Sequence, residues 1–61
     1  MRVAAALEEL PEGQREAVAM HYWEGLTLNE VAQEMGRTAA AVAGLLQRGL
    51  RTLRRQLKEA E

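Results

Sequence analysis

Along the last third of the chain the apolar positions keep a helical rhythm. Val42, Leu46, Gly49, Leu50, Leu53 and Leu57 fall on one stripe of a helix with about 3.6 residues per turn, the stripe expected to face a core. Ala41, Gly44, Arg48, Arg51 and Arg55 fall on the opposite side, with Ala40 and Gln47 on its shoulder. Earlier, Leu28, Val31, Ala32 and Met35 share one face of a shorter helix. Good helix formers dominate, and β-branched and aromatic residues are sparse. The pattern predicts an all-α fold, a small bundle of about four helices.

Turn and cap residues set the boundaries. The first helix is expected from Arg2 to Glu9. Pro11 starts the second, because a first-turn residue has no use for the N–H that proline lacks. That helix runs through Arg15, Val18 and Tyr22, with Gly25 as a left-handed cap. Thr27-Leu28-Asn29-Glu30 has the form of a capping box, in which the threonine hydroxyl and the glutamate carboxylate each accept the other's backbone N–H. The third helix is expected over Leu28–Met35 and ends at Gly36. Thr38 caps a fourth that reaches to Glu59. Gly44 and Gly49 lie inside it, and each costs about 1 kcal/mol relative to alanine; the length and apolar face of the helix outweigh them.

A capped short helix, a glycine turn and a capped longer helix, over about residues 27–48, form the layout of a helix-turn-helix. Ala32 is small enough to let the two helices approach. Gly36 reverses the chain with a positive φ, and Val31, Met35, Val42 and Leu46 can pack across the crossing. The exposed start of the fourth helix is then almost free of bulk, with arginines behind it. Such a helix can enter a major groove. Alanine methyls can touch thymine methyls, Gln47 and Arg48 can bond base edges or phosphates, and the later arginines suit phosphates.

Charge strengthens this picture. The net charge is only −1, which would argue against a nucleic-acid partner if it were evenly spread. Up to Gly36 two arginines stand against seven glutamates; from Arg37 onward six basic residues stand against two glutamates. An acidic half joined to a basic half suggests one surface for an anion and another for a different partner.

Length and composition exclude other classes. A chain of 61 residues is one domain, and a domain of this size buries roughly 60% of its unfolded surface. With no cysteine and one histidine, His21, no disulfide, metal site or cofactor is expected. No apolar run approaches the roughly 20 residues of a membrane span, and the opening segment lacks the form of a signal peptide. A soluble, cytoplasmic protein is expected. Tyr22 and Trp23 are expected to serve core or near-surface packing, and His21 to be a partly exposed helix residue. Glu8 with Glu9, and Glu30 with Glu34, are expected to form solvated faces. There is no phosphate loop and no nucleophile with a base, so an enzyme is not expected.

The run Leu10-Pro11-Glu12-Gly13-Gln14-Arg15-Glu16-Ala17-Val18, followed by Tyr22-Trp23-Glu24-Gly25-Leu26-Thr27, resembles the start of region 4 in sigma-70 family factors, nearest to the extracytoplasmic-function group. Leu28 to Thr38, Ala41-Val42, Leu46, Arg48 and Leu53-Arg54 keep to that pattern, so the resemblance covers nearly the whole chain. It implies a winged-helix-like DNA-binding domain without the wing. It also implies docking on the minus-35 promoter element within RNA polymerase, with the helix beginning near Thr38 in the major groove. Contacts would come from its first three turns and from the amino end of the preceding helix near Thr27. The resemblance further implies a second partner, the flap of the polymerase β subunit, and leaves room for an anti-sigma protein. Ala43, Gly44 and Leu45 depart from the polar or basic residues of many relatives. Leu45, beside the core stripe, is a candidate for exposure to a thymine methyl or a protein.

The DNA-contacting set is therefore Thr27, Arg37, Thr38, Ala40, Ala41, Gly44, Gln47, Arg48, Arg51 and Arg55. Arg37, Arg51, Arg55 and Thr27 would hold the backbone and the others would approach bases or nearby phosphates. The domain that melts promoter DNA in a complete sigma factor is missing, so the chain is expected to be a fragment or a free-standing region-4-like protein. Two alternatives remain open: a dimeric helix-turn-helix regulator on a palindromic operator, and a helical protein-interaction module.

Overall fold

The computed structural model describes residues 3–60, and side-chain surroundings within 6–58. Four α-helices occur, α1 (Val3–Glu8), α2 (Glu12–Val18), α3 (Leu28–Met35) and α4 (Ala39–Ala60), and no strand occurs among the described residues. The expected all-α bundle is present. Arg2, expected to open the first helix, lies outside the described residues. Pro11 stands one position before α2, with extended ψ of 149°, and its carbonyl accepts the first helical bond from the Arg15 N–H at 2.9 Å.

The second helix departs from expectation. It is α-helical only to Val18; Ala19–Trp23 then form a π-helical turn. The Glu24 N–H donates to the Ala19 carbonyl five residues back, at 3.1 Å. The Leu26 N–H returns to the Met20 carbonyl at 3.0 Å, and Gly25 takes the left-handed φ of 75° that this reversal requires. His21 closes the same loop, its Nδ1 standing 2.7 Å from the Leu26 carbonyl. A carbonyl only accepts, so Nδ1 carries the proton. Widened helical turns accommodate such extra contacts.

The α3 boundaries match the sequence residue for residue. Thr27 Oγ1 accepts the Glu30 N–H at 3.1 Å, and Glu30 Oε1 accepts the Thr27 N–H at 2.8 Å. At the other end Gly36 has φ 67°, and the Arg37 N–H reaches back to the Ala32 carbonyl at 2.9 Å. That bond consumes a carbonyl the helix leaves open.

The core joins all four helices through Ala6, Leu10, Ala17, Val18, Val31, Ala32, Val42, Leu46 and Leu53. Val18, Val31 and Val42 are fully enclosed, each contributing about 1.5–3 kcal/mol by leaving water. Met35, Leu50 and Leu57 are half-buried against this cluster. The domain measures 35 × 18 × 15 Å, and the 22 residues of α4, about 33 Å long, span its length. Helices α1, α2 and α3 all pack on α4. Gly49 shows why the α2 crossing is close: a Cβ there would lie 3.0 Å from Val18 Cγ2.

Candidate nucleic-acid interface

The crossing of α3 and α4 positions the site. Val31 and Ala32 on α3 and Val42 and Leu46 on α4 are buried, and the left-handed Gly36 sets the turn between the helices. Outside the packed faces of both helices, residues such as Gln33 on α3 and Ala41 and Arg48 on α4 are exposed. Thr27 and Thr38 cap the amino ends of the two helices. Thr38 Oγ1 accepts the Ala41 N–H at 3.1 Å, as Thr27 Oγ1 accepts that of Glu30. Each hydroxyl thus spends a lone pair on its own helix and keeps its O–H to donate, the polarity a phosphate oxygen needs.

Along α4 the chemistry changes with depth into the helix. Ala40 and Ala41 are exposed and small, and Gly44, half-buried, follows one turn later. Gln47, Arg48, Arg51 and Arg55 are all exposed on the same broad side. Arg54, absent from the contact set read from the sequence, is exposed as well and lines a shallow groove with Gln47, Leu50 and Arg51. Its spacing, three residues after Arg51 and four after Leu50, was the available signal.

Arg37 stands apart from this row. Its Nη2 lies 3.8 Å from where a Cβ on Gly13 would be, so the guanidinium reaches over the amino end of α2. Leu45 approaches the same point, with Cδ2 at 3.8 Å, and is half-buried against the core. The exposure for which Leu45 was a candidate is thus only partial, because α2 covers one side of it.

The expected packing of Tyr22 and Trp23 is corrected. Tyr22 and Trp23, in the π turn, are 54% and 63% exposed and lie outside the core cluster. The Tyr22 and His21 rings meet edge to face, with centroids 4.8 Å apart. Leu28, on the α3 face shared with Val31 and Ala32, is 36% exposed at the first turn of the helix. Among the described residues no three potential ligands gather to hold a metal ion, and no helix is long and apolar enough to cross a membrane.

Four helices on one core, with a tight glycine turn before a long basic helix, define a helix-turn-helix domain. The family described as sigma-70, region 4 matches residues 1–53, and the chain belongs to that family as a sigma-factor DNA-binding domain. The chain is similar to the ECF RNA polymerase sigma factor SigK of Mycolicibacterium vanbaalenii, with 36% identity over 56 residues. That alignment covers 92% of this chain but 29% of the relative. No solved structure matches.

Proposed function

We propose that this chain lays α4 in the major groove of double-stranded promoter DNA at the minus-35 element, as the DNA-reading domain of a cytoplasmic sigma factor that directs RNA polymerase. The observation that carries this reading is the exposed row Gln47, Arg48, Arg51 and Arg55, opposite the buried Val42, Leu46 and Leu53. Gln47 and Arg48 approach base edges; Arg51 and Arg55, with Arg54, neutralise phosphates. The free O–H groups of Thr27 and Thr38 donate to the backbone at the two helix starts. The role is binding, not catalysis.

A second surface has its own support. Tyr22 and Trp23 stand exposed in a segment, Glu16 to Gly36, that carries four glutamates and no lysine or arginine. Exposed aromatic side chains with an acidic surround suit a protein partner. This is the face we assign to the polymerase core, through the β flap, or to an anti-sigma protein.

Fluorescence anisotropy against minus-35-like and scrambled duplexes at two salt concentrations tests the reading. Binding should weaken steeply with salt, and Arg51→Ala should lower the salt slope by about 1. Arg48→Ala should weaken binding and blunt sequence preference. Absence of DNA binding, alone and with a β-flap fragment added, would overturn the proposal in favour of a protein-interaction module.

A further inference from the structure

Two glycines interrupt α4, and the structure separates their reasons. Gly49 is required by packing, since its Cβ would press on Val18. At Gly44 φ is negative and a Cβ would meet nothing within 4 Å. The fold therefore gives no reason for a residue that helix interiors disfavour relative to alanine. Helical neighbours lie three and four residues away. For Gly44 these are Ala40 and Ala41 on the amino side and Gln47 and Arg48 on the carboxyl side, all exposed. The missing side chain leaves a notch with methyl groups on one border and hydrogen-bonding groups on the other.

The major-groove edges of the bases carry a single apolar group, the thymine C5-methyl. We infer that the Gly44 notch receives a thymine methyl, and that Gly44 sets the base preference of this domain at that position. This rests on α4 being the DNA-contacting helix. The alanine methyls supply van der Waals contact to the thymine. Gln47, on the opposite border, has the paired donor and acceptor that match N6 and N7 of its adenine partner. A methyl on residue 44 would occupy the space that the thymine methyl takes.

The test begins by selecting binding sites from a random duplex pool with the full chain. Each thymine of the selected site is then replaced singly by deoxyuridine, which lacks the methyl, and binding is measured for wild type and Gly44→Ala. At one thymine, deoxyuridine should weaken the wild type several-fold, and Gly44→Ala should weaken binding to the thymine duplex about tenfold. The losses should not add: on the deoxyuridine duplex the variant should bind nearly as well as wild type. Thermal melting of the same variant should rise, which separates the binding loss from misfolding. Equal affinity of the two proteins for the thymine site, or an equal loss on thymine and deoxyuridine duplexes, overturns the inference while the promoter reading stands. A wild-type chain that selects no sequence and ignores Arg48→Ala overturns the promoter reading and this inference with it.

Discussion

Gly49 and Val18 touch where α4 crosses α2: a Cβ on the glycine would stand 3.0 Å from Val18 Cγ2 and 3.6 Å from Gln14 Cβ. Val18 is fully enclosed, so it has no space into which to retreat. Gly49→Ala gains helix propensity but overpacks this contact, and the balance is expected to be a net loss of about 1 kcal/mol. Urea unfolding measures it. Val18→Ala in the same chain should make Gly49→Ala less harmful, and strict additivity of the two changes would argue against the contact.

Gly36 carries the chain from α3 to α4 at φ 67°. An alanine there meets no atom within 4 Å, so any cost is conformational. Gly36→Ala should destabilise the domain by about 1 kcal/mol, lowering the melting temperature by several degrees. An unchanged melting curve would show that the left-handed turn is not needed.

Thr27 and Glu30 satisfy each other's backbone at the start of α3. Thr27→Ala should cost about 1 kcal/mol, whereas Thr27→Ser, which keeps the acceptor oxygen, should cost far less. Thermal melts distinguish the two. If DNA affinity is compared at a temperature where both variants remain folded, Thr27→Ala should also lose the phosphate contact proposed for the hydroxyl.

Trp23 is the sole tryptophan and is 63% exposed. Its fluorescence should show the red-shifted emission of an indole in water and should be quenched freely by acrylamide. Trp23→Ala should change stability by no more than about 0.5 kcal/mol. A blue-shifted, protected tryptophan in the isolated chain would contradict the π turn that places it outside. Adding a polymerase β-flap fragment should shift the emission if this face is the docking surface.

What the sequence made legible follows the range of the forces involved. The capping box at Thr27, the left-handed Gly36 and the buried row on α4 depend on neighbours three to five residues away, and each was found where residue type and spacing put it. The π turn was not readable. Its Ala-Met-His-Tyr-Trp run could equally continue an α-helix; the change of register depends on the Leu26 loop folding back onto Met20 and His21. Tyr22 and Trp23 misled for a related reason: a large apolar ring can be buried or left in water, and only tertiary placement decides. Leu45 and Arg37 meet near Gly13, 24 to 32 residues away along the chain, beyond the reach of any local pattern. Within the candidate interface the arginine row was visible on the wheel, while Arg54 was overlooked because it sits between the core stripe and the opposite face.

The spine-like placement of α4 has a consequence for dynamics. The helix proposed to hold DNA is also the one on which α1, α2 and α3 rest, and a Gln56–Glu9 hydrogen bond of 2.7 Å ties its far end to the chain's beginning. Among the described residues no separate subdomain stands apart to open while the remainder stays bound. Ligand occupancy should therefore slow amide hydrogen exchange throughout the bundle, by the same factor in α1 as beside the ligand, wherever exchange requires global opening.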